Sequence, residues 1–203
     1  MVPSVILAAG QSARMGRAKA LLPLDRSGES FISHIVRTLR AAGQGDVIVV
    51  VGQDAEIISS ALRMITPPPR VIENPRHLEG QLSSLLAALE LVDRPGVDGL
   101  LMTLVDVPLV SAETVRAVVD AHARTRAPIV RPVCKGRHGH PVVFDRRVFD
   151  ELRHADAQIG AKAVVHAHAS EIVEVAVDDQ GAFQDIDTPE DYRKWIGPFP
   201  DSP

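Results

Sequence analysis

Short apolar runs alternate along this chain with segments in which apolar residues recur every three or four positions. The runs at 5–9, 47–51, 70–73, 99–104 and 129–133 read as strands, and their alternation with helical segments implies a parallel sheet covered on both faces. Between them, Ile32, Ile35, Val36 and Leu39 share one helical face, and Ile57, Ile58, Ala61 and Leu62 a second. Leu82, Leu85, Leu86 and Leu89 make a third, and Val115, Val118 and Val119 a fourth. Strand–helix alternation of this kind predicts a doubly wound α/β domain, with a mostly parallel sheet between helices and its ligand site at the carboxyl ends of the strands. After residue 133 the regularity weakens. An irregular turn over 135–144 leads to a short strand at 141–144, a helix is expected over 158–168, and a strand over 172–177. Residues 184–186 then lead, strand-like, into a last helix marked by Thr188 as N-cap, Pro189 at its first position, and Glu190 and Asp191 in its first turn. Pro67, Pro68 and Pro69 form a rigid connector. Residues 1–197 are expected to form one domain and 198–203 a loose tail.

Composition narrows the function more than the fold. A net charge of −4 and only 3% aromatic residues disfavour a general nucleic-acid surface or a base-stacking platform. No apolar run approaches bilayer length and no leader pattern is seen, so no membrane partner and a cytoplasmic location are expected. The single cysteine, Cys134, has no internal partner for a disulfide and fits a reducing compartment as an inert, half-buried thiol.

Four places carry chemistry. After the first strand the chain becomes small, polar and basic, with Gly10, Gly16, Arg14, Arg17 and Lys19 and no acid before Asp25. Glycines let backbone N–H groups approach an anion, and nearby cations strengthen such a nest, so this loop suits a polyphosphate. It is not a Walker loop, and the spacing of Gly10 and Gly16 does not fit G-x-G-x-x-G. Asp106 stands at the end of the strand 99–104, on the same rim. A carboxylate beside a polyphosphate calls for a cation between them, and Mg²⁺ takes one or two carboxylates together with substrate phosphates. Asp185 and Asp187 would share one face of an extended segment, with Ile186 opposed, so Asp106 and Asp187 are the expected metal ligands, with Asp185 a second or water-mediated one. A fourth segment, from Asn74 through Gly80, Gln81, Ser83 and Ser84, puts small polar groups at the same edge. Gly80 and Gln81 are placed to meet a base, and the serines to cap the helix that follows.

Residues 7–19, Leu7-Ala8-Ala9-Gly10-Gln11-Ser12-Ala13-Arg14-Met15-Gly16-Arg17-Ala18-Lys19, resemble the nucleotidyltransferase signature L-A-A-G-x-S-x-R-M-G-x-x-K at every fixed position. With Gly80-Gln81-Leu82-Ser83-Ser84-Leu85, Gly139-His140-Pro141-Val142-Val143-Phe144 and Asp185-Ile186-Asp187-Thr188-Pro189-Glu190-Asp191, most of the chain resembles the molybdenum-cofactor nucleotidyltransferases, and within them the cytidylyltransferase branch. Two departures stand out. Asp106-Val107-Pro108 replaces the branch's D-Q-P, and Ala157-Gln158-Ile159-Gly160-Ala161-Lys162 replaces G-D-x-G-A-R near the acceptor site.

The resemblance implies a Rossmann-like, nucleotide-diphospho-sugar transferase-like fold and transfer of a nucleotide, CMP rather than GMP, from an NTP to molybdopterin with release of pyrophosphate. It implies Mg²⁺ as cofactor and a molybdoenzyme or its chaperone as a protein partner. Carried onto this chain, Arg14, Lys19 and Asp106 act in catalysis, and Leu7, Ala8, Ala9, Gly10, Gln11, Ser12, Gly16, Asn74, Gly80, Gln81, Ser83 and His140 bind the substrates. His138 and His140 lie near the acceptor. His166 and His168 have no Cys or acid cluster that would make a zinc site. Two other readings remain open: a sugar-phosphate or isoprenoid-precursor nucleotidyltransferase, and a non-catalytic nucleotide or molybdopterin carrier.

Overall fold

A computed structural model describes residues 1–200. In chain order the elements are β1 (Ser4–Ala8), α1 (Phe31–Ala41), β2 (Val47–Val51), α2 (Ala55–Arg63), β3 (Arg70–Glu73), α3 (Gln81–Val92), β4 (Gly99–Leu104), α4 (Ala112–Thr125) and β5 (Ile129–Cys134). They continue with β6 (Arg137–His138), β7 (Val142–Asp145), α5 (Phe149–Arg153), α6 (Lys162–Ala167), β8 (Val173–Ala176) and α7 (Pro189–Trp195). The strands form one sheet in the order β3-β2-β1-β4-β7-β5-β6, with β8 on the other side of β5. β1, β2, β3 and β4 run parallel, and β8 runs parallel to β5.

The two-residue alternation of strand side chains divides the core into two layers. Ile6, Val49, Leu101 and Val143 face Ile35, Leu39, Val115 and Val118 of α1 and α4. Val5, Val50, Leu100 and Phe144 face Leu85, Leu89 and Leu152 of α3 and α5. Helices cover both faces, as a doubly wound sheet requires, and the carboxyl ends of β1 and β4 open onto a common rim with the start of β7.

The irregular region has definite causes. β7 enters between β4 and β5 and pairs antiparallel with both, which ends the simple strand–helix succession. The helix expected over 158–168 is confined to Lys162–Ala167. Upstream of it Asp156 gathers the chain into a turn, its carboxylate accepting from Gln158 N and its carbonyl from Ile159 N and Gly160 N, and Gly160 sits at φ +72°. No ladder forms at 184–186; instead Ile186 N donates a single bond to Asp106 O at 2.8 Å. In the expected tail, Phe199 packs edge-on against Tyr192 at 5.3 Å and lies under the Arg17 guanidinium, while residues 201–203 lie outside the described residues. Among the described residues no helix is long and apolar enough to cross a membrane.

Candidate active site

The loop after β1 is shaped by Ser12 and Gly16 rather than by Gly10. Ser12 adopts φ +49° and Gly16 φ +69°, and Gly10 does not enter the left-handed region. Ser12 holds the loop closed, its carbonyl accepting from Met15 N at 2.9 Å and its hydroxyl from Lys19 N at 3.1 Å. Gly10 is exposed, and an added Cβ would meet nothing within 4 Å, so its value lies in leaving backbone open to a ligand. Gly52 shows the opposite kind of need, since a Cβ there would fall 2.6 Å from Ala9 O.

Lys19, 7% exposed, stands between the two acidic segments. Its Nζ lies 2.6 Å from Asp187 Oδ1 and 3.5 Å from Asp106 Oδ2, while Arg14 Nη2 donates to Asp187 Oδ2 at 2.9 Å. Burial raises the Asp106 carboxyl above its ordinary range, with Asp185 and Asp187 adding to the rise and Lys19 opposing it. Burial also acts upward on Asp187, but the bond and charge of Lys19, with Arg14, outweigh it and hold Asp187 below the usual range. Asp106 Oδ1 is buried and has no hydrogen-bond partner. The three acids are thus neighbours. Asp185 is exposed, Asp187 half-buried and Ile186 fully buried between them, so they alternate as expected without a strand ladder. The segment is fixed from both sides. The Asp106 carbonyl receives Ile186 N, and Asp191 caps the next helix by accepting from Thr188 N at 2.9 Å.

Among the described residues no group of three or more His, Cys, Asp or Glu is preassembled to hold a metal. The donors present are two carboxylates on one rim, one with a buried partnerless oxygen. This set fits a cation that completes its shell with substrate phosphates and water.

Two cavities open on this rim. One, of about 220 Å³, is lined by Leu7, Ala9, Gly10, Ser12, Lys19 and Asp106, together with His77 and Ser84. The other, of about 490 Å³, is lined by Met102, Arg131, His138, His140, Phe144 and Lys162 among others. Gly80 and Gln81 belong to both. Gly80, at φ +99°, is the N-cap of α3 and no side chain caps that end. Ser83 instead donates to the carbonyls of Arg76 and Gly80 and accepts from Asn74 Nδ2, which also reaches Ser84. Asn74 and Ser83 therefore brace the wall from behind, and Ser84 is the serine that lines the first cavity. Ala8 is buried on β1, while Gln11 joins Ser12 and Gly16 on a shallower outer hollow.

His140 is placed by Gly139, where a Cβ would collide with Ala182 O and the Phe183 ring, and by its own N–H bond to Ala182 O. Burial lowers the His140 pKa, opposed by the Asp185 charge and a bond at the Met102 backbone, and Nδ1 is buried without a partner. Neither His166 nor His168 lines either cavity; His168 pairs on the surface with Glu151 and Glu171. Sequence reasoning missed His77, a loop residue with no motif around it, and Arg131, hidden inside an apolar strand run.

The profile of the family described as "MobA-like NTP transferase domain" matches residues 4–172, so Asp185 and Asp187 lie beyond the matched part. The bifunctional protein GlmU of Brucella canis is 39% identical over 114 residues, covering 55% of this chain. The chain spans only 24% of that relative's length. A crystal structure of Rv0371c from Mycobacterium tuberculosis superposes with a TM-score of 0.81 at 30% identity, covering 97% of this chain and 98% of that one. A manganese complex of Rv0371c gives 0.77 at 29% identity, over 96% and 97% of the two chains. Molybdopterin-guanine dinucleotide biosynthesis protein A from Archaeoglobus fulgidus shares the fold, with a TM-score of 0.69 at 19% identity and coverage of 96% and 97%. The matched region and the preserved loop together place this chain in the MobA-like NTP transferase family, as a nucleotidyltransferase domain.

Proposed function

We propose that residues 1–197 act as one domain that transfers CMP from CTP to a phosphorylated acceptor of the molybdopterin type, releasing pyrophosphate, with Mg²⁺ as the ion. The observation that carries this reading is the meeting of Asp106 and Asp187 on either side of Lys19, beside a loop built for phosphates, with Asp106 Oδ1 left partnerless. The manganese complex of Rv0371c supports a divalent ion, and the motifs around Gly80 and His140 favour the cytidylyl branch. In this reading the backbone N–H groups of the 10–16 loop hold the β- and γ-phosphates. Arg14 and Lys19 turn from Asp187 toward the leaving pyrophosphate and stabilise its growing charge. Asp106 and Asp187, with Asp185 beside them, hold the ion, which when bound neutralises charge on the α-phosphate. An acceptor phosphate oxygen, aligned in the larger cavity, attacks phosphorus in line, so the chain supplies alignment and charge rather than a nucleophile. A cytoplasmic setting fits the lone half-buried Cys134, and a molybdoenzyme or its chaperone would receive the product.

Pyrophosphate release measured over the four NTPs, with Mg²⁺ and with or without molybdopterin, tests the reading. Release with CTP that depends on molybdopterin is expected. Preference for GTP moves the domain to the guanylyl branch, and release with a sugar phosphate instead makes it a sugar nucleotidyltransferase. Nucleotide binding without turnover on any acceptor makes it a carrier.

A further inference from the structure

β5 breaks the pattern of the sheet at one residue. Ile129 and Arg131 are two positions apart and share a face, the one on which Val142 and Phe144 of β7 are apolar and buried. An arginine at such an interior position costs desolvation unless its donors are satisfied. Its outer edge is: Arg131 Nη2 donates to Glu174 on β8 at 2.7 Å and stands 3.0 Å from His138 Nε2. Its inner edge is not, since Nε is buried with no partner. Arg131 lines the larger cavity, and so does Lys162, which makes no ion pair among the described residues. At the near end of the same cavity His140 Nδ1 is also partnerless, and His140 feels the Asp185 charge. Met102, Val142 and Phe144 form an apolar stretch between the two ends.

The cavity therefore has two polar poles. One is at the reaction rim, at the end of β4. The other is on β5, two strands further along, roughly 10 Å away at ordinary strand spacing. Resting on the reading of this cavity as the acceptor site, we infer that the acceptor carries a second anionic group, remote from the reacting phosphate, which the Arg131 guanidinium binds through its unpaired inner edge, with Lys162 lining the same cavity. Glu174 neutralises the outer half of the guanidinium, which leaves a modest positive pole suited to a single anionic group. An acceptor that is neutral at its far end leaves the Arg131 Nε–H unsatisfied, and a site built to bond a substrate group rejects analogues lacking it. Arg131 is thus a specificity-determining residue for the acceptor.

The probe is tungstate, an electron-dense oxyanion, soaked into crystals of the full chain held with CTP and Mg²⁺. Density within hydrogen-bond reach of Arg131 Nε, lost in Arg131→Met, supports the pole. Its absence, or its persistence in Arg131→Met (an adventitious ion only), overturns it. In parallel, Arg131→Met should raise KM for molybdopterin about 10- to 100-fold, with the smaller share of the loss in kcat, as expected for a charged hydrogen bond that binds without reacting. Arg131→Lys keeps the charge without the Nε–H and should fall between. An unchanged KM in Arg131→Met with full turnover removes the pole and leaves the transfer reading intact. Tungstate bound at Arg131 in a protein that never turns over molybdopterin preserves the pole and removes that acceptor.

Discussion

On the phosphate side of the rim the cations are answered, although Asp106 Oδ1 is left without a partner: Lys19 and Arg14 share Asp187, Lys19 reaches Asp106, and Ser12 fastens the Lys19 backbone. On the proposed acceptor side Arg131 Nε and His140 Nδ1 are buried without a partner, and Lys162 lines the same cavity. The first region holds the cations against its own carboxylates, and the proposed transfer requires that it release them. The second is preorganised around groups that a substrate would complete. Tight internal pairing suits a site that meets any triphosphate, whereas unpaired polar groups suit selection among acceptors.

Asp106→Asn is the strongest way to break the comparison. It should cut pyrophosphate release by about 10²–10³-fold, the usual scale for losing one charge-stabilising group. Because Asp106 is pushed up by burial and has an oxygen without a partner, the same substitution should leave Tm unchanged or raise it by about 1–3 °C without ligand. A fall in Tm beyond that range would show that Lys19 needs both acids. Gly139→Ala comes next. Its Cβ would strike Ala182 O and the Phe183 ring, so about 1–3 kcal/mol of stability should be lost in denaturant titration. The displaced His140 should then weaken the acceptor more than CTP. Equal loss for both substrates would mean that the two regions are not separable.

Arg14→Ala sharpens the contrast within the phosphate side. Arg14 is 68% exposed, so a loss in kcat of about tenfold is expected, with no change in Tm, in contrast to buried Lys19. The smallest effect is a pH dependence away from both cavities. The Arg37 bond, helped by His34 and opposed by burial, holds Glu29 at about 2 against an ordinary 4.5. A lowered carboxylate stabilises the fold above its unfolded value, so this contribution is complete above pH 4.5 and fades as pH falls toward 2. Glu29→Gln should flatten that limb of the stability curve by roughly 1 kcal/mol after solvent screening, leaving CTP turnover at neutral pH as it was.

The phosphate side was the legible one because its signals are local. A strand end, two glycines and clustered cations fall within fifteen residues, and Asp106 and Asp187 each sit at an element boundary that pattern alone locates. The sheet's parallel half was legible for the same reason, since β1, β2 and β4 are apolar runs that pattern alone marks out. The antiparallel entry of β7 was not, because strand direction depends on which neighbours compete for a short segment and leaves no mark in Val142–Asp145. Helix 158–168 was over-read because Asp156 diverts the backbone donors of the next residues into its own turn. Arg131 escaped notice because one cation in an apolar run usually lies at a solvent edge; its burial emerges only when β7 and β8 enclose it.

The bond from Ile186 N to Asp106 O joins positions far apart in the sequence. Until the last segment has docked beside β4, the acids do not stand together and Lys19 has nothing to bridge. The proposed site is therefore complete only while the last segment stays docked, and loosening that one contact would separate its acids without touching the phosphate loop.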